Sequence, residues 1–263
     1  MILRVSEHPV VILVTSDSHC YYDTINKQIV YAETELGVSI DCVIHLGDFG
    51  LYASHLYDFF IRSHKRFLKP LYCIDGNHED FSALHKLVRK YEAFFTYLPR
   101  STVHVIGGYR FLALGGAAYM DSMITESASL ITDEQIDRCL RLSPDAVDII
   151  ITHDCPTNLG VPNTPGMECY GAPGFARSEE LSAHFHPKLW FFGHHHKWFT
   201  HQDEGVIYQG LCGTWKGFVL LDDAYRYRVV THQLEWEKSS LIERILVKLR
   251  IIRPDQPSGS NSR

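Results

Sequence analysis

"WFFGHHHKWF", residues 190–199, carries an apolar run straight into three consecutive histidines. Three adjacent imidazoles gain little from packing and add three groups that titrate near neutral pH. The run before them, "PKLWFFG" (187–193), is short, aromatic and bounded by proline and glycine, the pattern of a buried strand. A strand therefore delivers a cluster of candidate ligand atoms at its own carboxyl end. Whether other strands do the same decides the fold.

Four others do. "VVILVT" (10–15) runs into "SDSH", which offers Asp17 and His19. "DCVIHLG" (41–47) is followed by Asp48, and "KPLYCID" (69–75) by "GNHED" with Asn77 and His78. "VDIIITHD" (147–154) contains His153, and the opening stretch supplies His194 and His196. Helical patterns lie between these strands. Ile25, Ile29, Ala32 and Leu36 share one face, with Asp23 expected as the cap. Leu56, Phe59, Phe60 and Phe67 mark a second helix, and Thr132 with Gln135 forms a capping box for one reaching about Leu140. "TVHVIGGYRFLALGG" (102–116) reads as a hairpin turning at Gly107-Gly108, and "GVIYQG", "WKGFVLL" and "YRYRVVTHQL" as late strands. Alternating strands and helices predict an α/β protein whose ligands sit in the crevice at the strands' carboxyl ends. Glycines 47, 76 and 193 let the chain turn tightly out of three strands.

Composition bounds the function. With 263 residues, 45% hydrophobic and 21% charged, the chain is an ordinary soluble globular type. A net charge of -6 gives no sign of a general nucleic-acid or membrane-surface binder, and leaves room for a local basic cleft. Seven scattered cysteines, odd in number and without a CxxC pair, predict reduced thiols in the cytoplasm rather than a disulfide framework. The first nineteen residues lack the order of a signal peptide, and no apolar run is long enough to span a membrane. One folded domain is expected over residues 1–232. An amphipathic helix over 233–253 follows, with Leu241, Ile245, Leu249 and Ile252 on one face, expected to pack on the domain; docking on a protein partner or membrane is the sharper alternative. A Pro/Ser/Gly-rich tail over 254–263 is expected to be disordered.

Oxygen and nitrogen ligands without thiolate suit a pair of divalent cations, manganese, iron, zinc or magnesium before copper. On extended chain Asp17 and His19 would point to one side, as would His194 and His196, leaving His195 a bystander or a hydrogen-bond donor outside the ligand set. Each piece alone has an ordinary explanation as a turn, a cap or a solvated loop. Five of them at strand ends, in one order, do not.

That order, D-x-H, GD, GNHE, a lone histidine after an apolar strand and GHxH, resembles the calcineurin-like metallophosphoesterases over roughly residues 10–230. The resemblance implies a four-layer α/β/β/α sandwich with two mixed β-sheets and a dinuclear metal site. It implies that Asp17, His19 and His196 hold the first metal, that Asn77, His153 and His194 hold the second, and that Asp48 bridges both. His78 would meet the phosphate and protonate the leaving group. The expected activity is hydrolysis of a phosphomonoester or phosphodiester by a hydroxide generated between two cations, manganese foremost, with iron, zinc, magnesium or nickel as alternatives. A nucleotide or nucleic-acid substrate falls within that range. Two departures stand out: Cys20 replaces the glycine of DxHG, and "GDFGLYA" replaces the GDxxDRG of the serine/threonine protein phosphatases. "THDCP" and "FGHHHKWF" also resemble the RNA lariat-debranching branch, although Asp17 stands where that branch has cysteine. The rival reading is a catalytically weak interaction scaffold on the same fold, in which a change at His78 would be expected. The Gly/Pro-rich loop 154–178 is expected to shape the substrate, with Arg177, Tyr170 and Phe175 as candidate contacts. Tyr119 and Arg100 could reach the cleft or serve the core edge.

Overall fold

A computed structural model describes residues 10–118 and 126–232. The expected C-terminal helix, the tail and Tyr119 lie outside those residues. Two six-stranded sheets face each other. The first has strand order β12-β11-β1-β2-β3-β4, and the second β5-β6-β7-β8-β10-β9. In the first, β1 (Ile12–Thr15), β2 (Cys42–Leu46), β3 (Leu71–Ile74) and β4 (Thr96–Tyr97) run parallel. There β11 (Gly217–Leu221) and β12 (Tyr227–Thr231) add antiparallel. In the second, β6 (Tyr109–Leu114), β7 (Ile149–Thr152), β8 (Leu189–Phe192) and β10 (Val206–Gly210) are parallel, and β5 (Thr102–Ile106) and β9 (Phe199–Asp203) form antiparallel edges.

The central parallel strands are apolar on both faces because both are covered. Alternation splits their residues between cores. Ile12, Val14, Ile44, Leu46 and Ile74 meet Phe111, Ile149, Ile151 and Phe191 between the sheets. Leu13, Val43 and Leu71 face outward beneath α1 (Tyr22–Thr34), which buries Ile25, Ile29 and Ala32. On the far side Leu112, Ile150, Trp190 and Phe192 pack against Ile136 and Leu181, from α4 (Asp133–Leu140) and α5 (Ser178–Phe185). Three cores separate four layers, the expected α/β/β/α sandwich. Emptying the Trp190 pocket by truncation to alanine would cost about 3–5 kcal/mol.

Local expectations fare unevenly. The hairpin turns at Gly107-Gly108, and Thr132 and Gln135 form the capping box. Asp23 does not cap α1: Tyr21 occupies that position without a side-chain bond, and Asp23 pairs with Lys65. The second helix is α2 (Ala53–Leu56) continuing into a π-helical turn over Tyr57–Arg62. Phe59 and Phe60 are both buried there, and Phe60 stacks on Phe94 with centroids 4.5 Å apart. A wider turn lets neighbouring phenylalanines both face inward. Phe67 packs on the same core from beyond that helix, and α3 (Leu84–Lys90) follows. Among the described residues no helix is long and apolar enough to cross a membrane.

Candidate metal centre

The loops after β1, β2, β3, β7 and β8 open at one edge of the sandwich. There Asp17, His19 and His196 bring ligand atoms together, and Asp48, His153 and His194 form a second group beside them. In the first group His19 Nε2 and His196 Nε2 are 3.2 Å apart, and Asp17 Oδ1 is 3.2 Å from His196 Nε2. In the second, His153 Nε2 lies 3.2 Å from His194 Nδ1 and 3.0 Å from Asn77 Oδ1. Asp48 stands between, with Oδ1 3.4 Å from His153 and Oδ2 3.7 Å from His19. All seven candidate ligands are thus assembled from segments far apart in sequence.

The chain conformation that achieves this is not the extended one expected. Asp17, His19, Asp48, His194 and His196 all have left-handed backbone, with φ between 45° and 65°. Non-glycine residues adopt that region at a cost and concentrate there at functional sites. Alternation therefore does not govern these loops, and of the two expectations for His195 the structure favours the hydrogen-bond donor over the bystander. His195 lines the cleft, its Nε2 2.9 Å from Asp154 Oδ1 and its ring 4.7 Å from that of His194. Two glycines are required by close approach. A Cβ at Gly76 would collide with Asp48, and one at Gly193 with Ser16 and Asp17.

Neighbouring groups orient the ligand atoms. The Leu46 carbonyl accepts from His153 Nδ1 at 2.8 Å, which directs the Nε2 atom at Asn77, Asp48 and His194. Asp17 Oδ2 accepts the His194 N–H, while buried Asp17 Oδ1 takes no hydrogen bond. Lone pairs converging on one point repel each other unless a proton or a cation lies among them. The electrostatics agree. Burial opposes the charge on Asp48, yet His153 and His19 hold its carboxyl well below the usual range. Burial likewise opposes protonation of His153, but Asp48 and Asp17 outweigh it and raise the imidazole to about 10. For His194 burial prevails and lowers it to about 4. Two mixed carboxylate–imidazole groups, the first with an orphaned buried oxygen at Asp17 Oδ1, fit divalent cations.

The remaining polar residues separate into cleft and scaffold. His78 is exposed in the cleft, 5.5 Å from His19 between ring centroids, and its N–H donates to Asp48 Oδ1 at 2.8 Å. Glu79, buried beneath it, accepts from the N–H groups of Phe49, Gly50 and Leu51 and so fixes the loop that follows Asp48. Burial and the charge of Asp48 raise Glu79 to about 8 against the pull of those donors. Arg100 serves the core edge, paired with buried Asp75 and holding the carbonyls of Leu130 and Ala128. Arg177 is bound to Glu180, Asp137 and Asp133, and Phe175 is buried in the outer core, so neither reaches the cleft. The buried Phe175 closes the base of its loop, its N–H donating to Cys155 O; Tyr170 is exposed on the same loop. Instead Thr164 from that loop lines the cleft, with Lys197, whose Nζ holds the carbonyls of Pro162 and Asn163. Sequence reasoning missed both. Lys197, directly after the last candidate ligand, was the signal available.

Comparison with known proteins agrees with this architecture. The chain superposes on TT1561 of Thermus thermophilus with a TM-score of 0.57 at 15% identity, covering 85% of this chain and 99% of that one. The phosphopantetheinyl hydrolase of Mycobacterium tuberculosis gives 0.51 at 12% identity, covering 87% and 98%. The sulfate thiohydrolase SoxB of Thermus thermophilus gives 0.50 at 11% identity, covering 92% and 61%. No curated protein matches by sequence. At such identities the likeness is one of fold. The family description "Calcineurin-like phosphoesterase" matches residues 10–198, most of the chain, and the chain belongs to that family.

Proposed function

We propose that the protein is a metal-dependent phosphoesterase with a dinuclear site. The reading rests on one observation: two carboxylate–imidazole groups lie side by side, and Asp48 of the second turns one oxygen to His153 and the other to His19 of the first. Asp17, His19 and His196 would hold one cation, Asn77, His153 and His194 the other, and Asp48 both. Two bound divalent cations would activate a water as nucleophile and neutralise charge on the phosphoryl oxygens. Manganese suits the mixed oxygen and nitrogen donors, as do iron, zinc, magnesium and nickel.

The chain's own residues do the rest. Asp48 holds the N–H of His78, which keeps that imidazole beside the site while its ring stays open to substrate. From there it donates a proton to the departing oxygen, and no protein nucleophile is required. Lys197 and Thr164 wall the cleft and suit an anionic substrate, a phosphomonoester or phosphodiester, nucleotides and nucleic-acid ends included. Protein reconstituted with manganese should contain two ions per chain and hydrolyse members of a panel of aryl phosphomonoesters, bis-aryl phosphodiesters and cyclic nucleotides. Two bound ions with no turnover across that panel would instead support the scaffold reading.

A further inference from the structure

Asp154, Cys155 and His195 form a third group of ligand atoms within 4.8 Å of one another, and the phosphoesterase reading uses none of them. Cys155 Sγ is 3.3 Å and Asp154 Oδ1 2.9 Å from His195 Nε2. Asp154 and Cys155 are buried, and His195 reaches the cleft wall. Three kinds of donor are gathered on two loops, one following His153 and the other between His194 and His196. A cation about 2.0 Å from nitrogen and oxygen and about 2.3 Å from sulfur would subtend roughly 90–100° at these pairs, near enough to tetrahedral for small adjustments to complete. The carboxylate is already oriented as a ligand's should be: Oδ1 accepts the Cys155 N–H at 2.7 Å and Oδ2 the Ala118 N–H at 2.8 Å.

We infer that Asp154, Cys155 and His195 form a third, mononuclear cation site beside the dinuclear centre, with a fourth position open to a water or an anionic group from the cleft. Binding replaces two protons with metal bonds: the Cys155 thiol proton passes to solvent, and the His195 Nε2 proton, which bridges to Asp154, leaves as the ring takes its Nδ1–H tautomer by exchange with solvent, so one net proton is released. Two anionic ligands neutralise a divalent charge in a buried place. The thiolate selects zinc or cobalt and rejects manganese or magnesium. The three sites therefore differ in kind: two take hard or borderline ions through oxygen and nitrogen, and one requires a soft donor.

Cobalt(II) is the probe, because thiolate ligation gives a near-ultraviolet charge-transfer band that oxygen and nitrogen ligands do not. Titration of the metal-free, reduced protein should take up three equivalents, with that band accompanying one of them. Cys155→Ser should bind two equivalents and lose the band while keeping the visible bands of the others. His195→Ala, which alters a partly exposed ring, should also drop one equivalent and guards against a misfolded cysteine variant. Two equivalents without a thiolate band in the wild type would overturn the site and leave Asp154–His195 as a hydrogen-bonded pair. A band persisting in Cys155→Ser would equally overturn it. Because the readout is metal stoichiometry and spectrum, it is separate from hydrolysis: a third equivalent with no turnover would count against the proposed activity alone.

Discussion

His19 and His196, 177 positions apart in sequence, turn their Nε2 atoms towards each other across 3.2 Å. Asp17 Oδ1 approaches the same His196 nitrogen. In the second group His153, His194 and Asn77 repeat the arrangement. Such convergence is favourable only with positive charge among the lone pairs, supplied by protons in the metal-free protein and by cations in the loaded one.

Metal binding should therefore release protons. Asp48 and Asp17, working against burial, raise His153 to about 10, so the metal-free imidazole stays protonated at neutral pH. A cation must displace that proton, and raising the pH removes the competition. Apparent manganese affinity should rise steadily with pH above neutrality and level off only near pH 10, where the His153 proton is lost. Calorimetry in two buffers of different ionisation enthalpy should count at least one proton released. A pH-independent affinity would show that the candidate histidines are not ligands.

Asn77 and His78 are adjacent but should fail differently. Asn77→Ala removes a donor from the second group, and part of its lost rate should return at high manganese. His78→Ala should keep both metals yet lose leaving-group protonation, a contribution of about 10²–10⁴-fold. The loss should be severe for an alkyl phosphoester and small for a nitrophenyl ester, whose leaving group departs unprotonated. Emptying of a metal site in His78→Ala, or an equal loss for both substrates, contradicts the assignment.

Glu79 should matter through the loop it holds. Its carboxyl group satisfies three successive N–H groups just after Asp48. Glu79→Ala would leave them buried and unpaired, and a loss of the order of 3 kcal/mol is expected in denaturant unfolding. Metal retention should fall with it. Unchanged stability would mean that the loop keeps its shape without the carboxyl group.

Lys197 should control the loop over the cleft. Lys197→Met removes the cation that grips the carbonyls of Pro162 and Asn163. Losing about 1.5 kcal/mol of charge-assisted bonding should speed amide hydrogen exchange around residues 160–166 roughly tenfold. KM should rise while metal content stays constant. Unaltered exchange would place the anchoring elsewhere, at Phe175 and the base of the loop.

Much of this molecule was legible in its sequence because its strands are unusually regular signals. The strand cores within residues 10–15, 41–47 and 147–154 are apolar on both faces, so run length and the polar residues that follow marked them without alternation. The candidate ligands were legible for the same reason, since each sits within a few residues of a strand end, and the structure brings them together. What was hidden is backbone conformation. Nothing local announces that Asp17, Asp48 and His194 take left-handed φ, so the extended-chain argument left open whether His195 was a bystander or a hydrogen-bond donor, and only the structure shows its partner, Asp154. The short strand β4 and the edge strand β9 were also missed. The first has two residues, and the second, "FTHQD", is mostly exposed and polar, so neither carries an apolar pattern. Arg177 looked like a substrate contact because positive charge in a loop invites that reading, while its three acidic partners are visible only in three dimensions.

The shared carboxylate is the centre of the account, and electron paramagnetic resonance of the manganese-loaded protein tests it most directly. Two manganese ions joined through Asp48 should give the broad, exchange-coupled spectrum of a spin pair, and Asp48→Asn should replace it with the six-line signal of isolated or lost ions while bis-aryl phosphodiester hydrolysis collapses. An uncoupled six-line spectrum from the wild-type protein, or hydrolysis surviving in Asp48→Asn, would contradict a dinuclear phosphoesterase.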